Sequence, residues 1–285
     1  MTIDSIIAWV AAASDMKSRE LRQAVHTVLV AISIAPRLPK TYVMKGGILL
    51  ALQYAGDRFT RDIDFSTTAT LAQLSVESVK EELDQALATA VEQLNYGLDC
   101  RIQAVELRPP GPRASWPTLT MTVGYALKLD AKRHRHVMRG NATDILSLDL
   151  SYNEVITAID FLDIPGGGQI KTSSLADLVA EKYRAILQQP GRGRTRRQDA
   201  YDLYRLLDRD ELRPAKIRAG VLAALLQKSV GRQLAVDRAS LRDPDVIARS
   251  RAEYHLLKQE ILSELPEFEH AYGAVRDYYE SLPWG

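Results

Sequence analysis

The chain has 285 residues, enough for one large domain or two modest ones, and its 46% hydrophobic residues supply a packed core. With 26% charged residues, a formal net charge of +1, one cysteine and no apolar run of bilayer-spanning length, the composition argues against three classes. They are a membrane-embedded protein, a disulfide-stapled scaffold and a uniformly basic nucleic-acid binder. The expected setting is a reducing cytoplasm, with Cys100 a small buried apolar residue.

Residues 1–38 carry Ile6, Ile7, Val10, Leu21, Val25, Val28 and Leu29 at helical spacing. Two helices are expected, with a break at Ser14-Asp15, where either side chain caps the second. Pro36 and Pro39 close this region. Thr41-Tyr42-Val43-Met44 reads as a short strand, Gly46-Gly47 as a turn, and Ile48 to Tyr54 as a helix ended by Gly56-Asp57. Asp62-Ile63-Asp64-Phe65 reads as a second strand. Ser75 to Asn95 is helix-forming, with Val79, Leu83, Leu87 and Val91 on one stripe. Three β-type runs follow at 100–107, 119–127 and 145–151, and Pro165-Gly166-Gly167-Gly168 is a turn rather than a phosphate loop. Ser173 or Ser174 caps a helix bearing Leu175, Leu178, Val179, Ile186 and Leu187, and an arginine-rich loop leads to a second helix over 198–207. Residues 211–285 are helix-forming stretches punctuated by Pro214, Pro244 and Pro266. The pattern predicts an α+β chain, with a mixed-sheet lobe and N-terminal helices over 1–170 and a helical lobe over 171–285.

Two local features carry chemistry. In an extended Asp62-Ile63-Asp64 segment both carboxylates point the same way, while Ile63 and Phe65 face the core. Carboxylates projecting together repel unless a cation lies between them, and a hard divalent metal suits oxygen ligands. The second feature is the strand–Gly46-Gly47–helix unit. It offers free backbone N–H groups and the positive end of a helix dipole, a setting for triphosphate oxygens. Lys45 stands beside those phosphates or is an exposed strand-end residue. Arg58 and Arg184 offer planar forks to phosphate or to a carboxylate. Asp199 and Asp202 share a helix face, where like charges cost stability unless something neutralises them. Two basic runs remain, Lys132-Arg133-His134-Arg135-His136 with Arg139, and Arg192-Gly193-Arg194-Thr195-Arg196-Arg197. Each is a solvated loop or a surface for a phosphate backbone.

The stretch Lys45-Gly46-Gly47, an apolar helix, then Arg58-Phe59-Thr60-Arg61-Asp62-Ile63-Asp64-Phe65 resembles the first motif of the AbiEii/AbiGii nucleotidyltransferase toxins. These include the MenT toxins and belong to the DNA polymerase β-like nucleotidyltransferase superfamily. Leu178-Val179-Ala180-Glu181-Lys182-Tyr183-Arg184-Ala185 and Arg197-Gln198-Asp199-Ala200-Tyr201-Asp202-Leu203 are similar to its A-E-K-x-x-A … R-x-x-D-x-Y-D-L signature, with the arginine–aspartate spacing altered. The resemblance covers positions 40–207. It implies a polymerase β-like lobe, a helical lobe completing the active site, an NTP substrate and Mg2+ or Mn2+. It implies catalytic roles for Asp62, Asp64, Lys182 and Asp199, with Lys182 on phosphate and Asp199 assisting the acceptor. Lys45, Gly46, Gly47, Arg58, Arg184 and Asp202 would bind nucleotide. The superfamily's third metal carboxylate is matched to Asp149, between Leu148 and Leu150, with Asp130 and Asp144 as competitors and a solvent-facing edge position as the bland alternative. The family further implies the toxin half of a toxin–antitoxin pair, an RNA acceptor (a tRNA 3′ end first) and an antitoxin that is a DNA-binding repressor encoded alongside. Nucleotidylation of a protein, or a catalytically inactive nucleotide- or RNA-binding module, are the alternatives.

Overall fold

The computed structural model describes residues 6–111 and 114–285. Contacts divide the chain into two compact units, Met1–Ala55 with Thr60–Thr172, and Gly56–Phe59 with Ser173–Gly285.

The first unit begins with α1 (Ile6–Ala11) and α2 (Met16–Ile34). Asp15 caps α2, its carboxylate accepting the Ser18 N–H at 2.9 Å. Next come α3 (Leu38–Thr41), β1 (Val43–Lys45), α4 (Gly46–Gln53), β2 (Asp62–Ser66) and α5 (Val76–Gln93), the last capped by Ser75. Then follow β3 (Leu98–Arg108), β4 (Thr118–Leu127), α6 (Ala131–Met138), β5 (Ile145–Ser151), β6 (Ile159–Asp163) and β7 (Gln169–Ser173). The strands form one seven-stranded sheet in the order β3-β4-β5-β2-β1-β7-β6. It is mixed: β2/β5 and β1/β7 run parallel, whereas β1/β2, β3/β4 and β4/β5 run antiparallel. The α+β expectation is met by this arrangement. Ile32 of α2 and Leu83 of α5 meet Phe65, Leu148 and Leu150 around one small cavity, so the core lies between those helices and a single face of the sheet.

Three local expectations need correction. Thr41 ends a helical turn rather than opening β1, because Pro39 in the first turn presets the helical φ. The strands β6 and β7, on either side of the 164–168 turn, carry too few apolar residues in alternation to be read beforehand. The basic run at 132–136 is helix α6 and not a loop. Asp130 caps it by accepting the Arg133 N–H at 3.0 Å, and the Arg133 guanidinium donates to Asp144 at 2.9 Å and Glu20 at 2.6 Å.

The second unit is helical: α7 (Leu175–Leu187), α8 (Gln189–Arg192), α9 (Arg197–Leu207), α10 (Ala215–Gly231), α11 (Pro244–Arg251) and α12 (Phe268–Glu280). Ser174 caps α7 through the Asp177 N–H. The fully buried Tyr183 of α7 donates its hydroxyl to the Val275 carbonyl of α12 at 2.8 Å. The segment 56–59 belongs to this unit. The Asp57 carboxylate accepts the Tyr201 hydroxyl at 2.8 Å and the Ser263 N–H at 3.2 Å, and the Phe59 N–H donates to the Glu260 carbonyl at 2.6 Å. No helix among the described residues is long and apolar enough to cross a membrane.

Candidate active site

The residues singled out above fall into two groups, one in each unit. In the first unit they form a row across the sheet. Parallel pairing of β2 with β5 puts Asp64 opposite Asp149, and antiparallel pairing of β1 with β2 puts Lys45 opposite Asp64. Neighbours across a ladder share a face, and so do residues two apart on one strand. Asp62, Asp64, Asp149 and Lys45 therefore lie on the face opposite the core. Ile63, Phe65, Leu148 and Leu150 are buried on the other side. Thr120 of β4, opposite Asp149, extends the row, and the Ser147 hydroxyl donates to Asp149 at 3.3 Å. Asp149 is thus on an interior strand rather than an edge. Its competitors are committed elsewhere, Asp130 as the α6 cap and Asp144 to Arg133.

Gly46 explains why this turn carries glycine. Its φ is +77°, the left-handed region that L side chains rarely adopt, and a Cβ there would overlap the Asp64 carboxylate. The glycine sets both the chain reversal into α4 and the space in which Asp64 lies. Lys45 is the N-cap residue of α4 and makes no side-chain cap bond to its first turn.

The oxygen-only donors Asp62, Asp64 and Asp149 suit a hard divalent cation such as Mg2+ or Mn2+. Among the described residues no group of three His, Cys, Asp or Glu side chains is placed to hold a metal ion, so the row is a shared face and not a closed site. Mg2+ commonly takes one or two protein carboxylates and fills its remaining positions with water and substrate phosphate oxygens. A partial donor set on an open strand face fits that habit.

In the second unit the chemistry is already neutralised. Lys182 of α7 donates to Asp199 Oδ1 at 2.9 Å and to Asp202 Oδ2 at 2.7 Å, both on α9. Arg58 donates through Nε to Asp202 Oδ1 at 3.2 Å and through Nη2 to Oδ2 at 3.4 Å, and lies 3.8 Å from Glu260. Lys182, Asp199 and Asp202 are 8%, 6% and 5% exposed, too little for water to satisfy the charges. Burial alone would lower the Lys182 pKa, but Asp199 and Asp202 hold it above the ordinary lysine value. Burial would raise Asp202, and Lys182 and Arg58 keep it below the usual carboxylate value. The two directions agree, as they should for a formed ion pair.

One atom of this network is left over. Asp199 Oδ2 is buried with no hydrogen-bond partner, and Arg196 Nη1 lies 3.9 Å from it. Arg196 is three positions before Asp199, so the arginine–aspartate spacing of the signature is present on Arg196, and the altered spacing read on Arg197 is corrected. Arg197 instead pairs with Glu253 at 2.7 Å and Glu260 at 3.0 Å. Counting back three residues from Asp199 would have found Arg196. Arg184 is not brought to Lys182: its guanidinium pairs with Glu181 at 2.5 Å and donates to the Gln188 side chain.

A family model described as "Nucleotidyl transferase AbiEii toxin, Type IV TA system" matches residues 27–277. Two crystal structures share the fold. The structure of JHP933 from Helicobacter pylori is 15% identical, with 94% of each chain covered and a TM-score of 0.53. A second H. pylori structure, described as a candidate nucleotidyltransferase, is 14% identical, with 91% of this chain and 93% of that one covered and a TM-score of 0.51. Comparison with curated proteins gives no match.

Proposed function

The chain belongs to the AbiEii nucleotidyltransferase toxin family of toxin–antitoxin systems, and we propose that it moves a nucleoside monophosphate from an NTP to an RNA hydroxyl, the tRNA 3′ end first. The observation that carries this reading is the row of Asp62, Asp64 and Asp149 on one sheet face, with Gly46 leaving room for Asp64 at the start of α4. In this reading the N–H groups at Gly46 and Gly47 donate to triphosphate oxygens, and Lys45 adds positive charge beside them. Asp62, Asp64 and Asp149 would supply oxygen ligands to Mg2+ or Mn2+, with water and phosphate oxygens completing the coordination. When bound, such an ion neutralises phosphate charge and acidifies the attacking hydroxyl.

The acceptor oxygen forms a bond to the α-phosphorus, the bond from that phosphorus to its bridging oxygen breaks, and pyrophosphate leaves with the electron pair. The hydroxyl proton passes to a base, a role this reading gives to Asp199, whose Oδ2 holds no hydrogen bond within the helical unit. Lys182 spends two N–H groups on Asp199 and Asp202, which leaves one for a phosphate oxygen. Arg58 fixes Asp202 and adds cationic charge to the same group. The reading further includes action in the cytoplasm and neutralisation by an antitoxin that is a DNA-binding repressor encoded alongside.

The test incubates purified protein with magnesium, total tRNA and each α-labelled NTP in turn. Label on tRNA with one NTP, lost in Asp62→Ala, is the expected result and names the nucleotide. Label on a protein instead moves the acceptor to a protein side chain. No label on any acceptor, with growth inhibition surviving Asp62→Ala, overturns the catalytic assignment of these residues.

A further inference from the structure

The second basic run does more than cross from α8 to α9. Gly193, at φ +58°, reverses the chain after α8, and two backbone bonds close the turn: the Gly193 N–H to the Pro190 carbonyl and the Arg194 N–H to the Gln189 carbonyl, each at 3.2 Å. This pairing is a Schellman closure, so the turn is held by backbone bonds. It brings Arg192 and Arg194 to a hollow lined also by Arg184, Gln188 and Arg196.

Charge at this hollow is not balanced internally. Arg197 is paired with two glutamates and Arg184 with Glu181, but among the described residues neither Arg192 nor Arg194 has a carboxylate at ion-pair distance. Burial pushes the Arg192 guanidinium below its ordinary value, and repulsion from Arg232, Arg184, Arg194 and Arg196 pushes it the same way. Like charges so gathered cost stability until an anion joins them. The hollow holds only about 10 Å³, room for roughly one water-sized group, so a whole nucleotide cannot sink into it. Guanidinium forks around a shallow dent suit phosphates that pass over the surface one after another.

We propose that Arg192 and Arg194, with Arg184 and Arg196 beside them, form a subsite that grips the phosphodiester backbone of a single-stranded RNA acceptor. It rests on the reading of the acceptor as RNA. The site recognises charge and spacing and not base identity, so it contributes affinity without choosing sequence.

The test measures binding of a short fluorescein-labelled single-stranded RNA by anisotropy across a NaCl titration, in the full chain without NTP. Two lost phosphate contacts should flatten the slope of log K against log salt by about 1.4 in Arg192→Gln/Arg194→Gln, and Arg192→Lys/Arg194→Lys should retain most of it. An unchanged slope in a glutamine variant that melts like the parent overturns the subsite. So does loss of inorganic triphosphate binding, by calorimetry, with RNA binding intact, since the arginines would then serve the NTP. The labelling assay fails separately. Label on tRNA with an unchanged slope removes the subsite alone, whereas a flattened slope with tRNA never labelled removes the RNA-acceptor reading and leaves an RNA-binding surface.

Discussion

The two units treat their carboxylates in opposite ways. On the sheet, Asp62, Asp64 and Asp149 share one face, opposite the buried core. In the helical unit, Asp199 and Asp202 are buried and already matched by Lys182 and Arg58. A carboxylate row on a half-exposed sheet face gains from a cation that binds it and is expected to do little for the fold. A buried network helps to define the fold, because removing one partner strands charge in a low-dielectric interior. The contrast therefore separates residues whose loss should be read in turnover from residues whose loss should be read first in stability.

The sharpest way to break that comparison is Asp64→Asn. Nucleotide transfer should fall about a thousandfold or more, ~4 kcal/mol in the barrier. Stability should change by less than about 1 kcal/mol, since the side chain lies on the half-exposed face. Single-turnover labelling and a urea titration on the same preparation check both halves. A large loss of stability would mean that the row is structural. Lys182→Met is the mirror experiment. It leaves Asp199 and Asp202 buried without their shared ammonium, and should cost about 3–5 kcal/mol in the urea titration. A near-neutral result would show that Arg58 and water suffice, and the network would lose its structural meaning.

What was legible beforehand follows the same division. Alternation at Asp62-Ile63-Asp64 and the strand–glycine–helix order are local, so the sequence exposes them directly. Placing Asp149 opposite Asp64 required the superfamily resemblance, because strand pairing joins segments that no periodicity connects. The helical network was visible only as a problem, two like charges on one face of α9. Its solution arrives from Lys182 on another helix and from Arg58, which the 56–59 segment carries into the second unit. The basic run at 132–136 misled for the same reason. Whether Arg133 is solvated or bound depends on Glu20 and Asp144, and tertiary structure alone brings them to it.

Gly46→Ala sharpens the comparison from within the sheet, with Gly97→Ala as its control. Both glycines have positive φ, +77° and +67°, so backbone strain should cost each alanine about 1–2 kcal/mol, with the overlap on Asp64 adding to it at Gly46 alone. Only at Gly46 would the added Cβ meet the Asp64 carboxylate, whereas nothing lies within 4 Å of one at Gly97. Transfer activity should therefore fall in Gly46→Ala and persist in Gly97→Ala at matched folded concentration. Equal activity in the two variants would mean that the position of Asp64 above the turn is irrelevant to chemistry.

The smallest expected effect is in pH dependence, and it separates the units once more. His26, buried in α2, lies 2.8 Å from both the Pro165 carbonyl through Nε2 and the Tyr96 hydroxyl through Nδ1. A carbonyl only accepts, so Nε2 carries the proton and Nδ1 accepts from tyrosine in the neutral ring. Burial pushes its pKa below the ordinary histidine value of 6.5, against a smaller opposing effect of the Pro165 carbonyl. The unfolded chain then binds the proton first as pH falls, so the contribution of His26 is complete above about 6.5 and declines as pH drops toward the folded value. In the other unit the Asp202 pKa lies below the ordinary aspartate value of 3.8, and its contribution persists until pH falls below that value. Denaturation followed from neutral pH downward should therefore show an early, shallow loss of stability that His26→Gln removes. A separate loss below pH 3.8 should be unaffected by that substitution. If His26→Gln left the early slope unchanged, the first proton would enter elsewhere, and the acid response would no longer distinguish the sheet unit from the helical one.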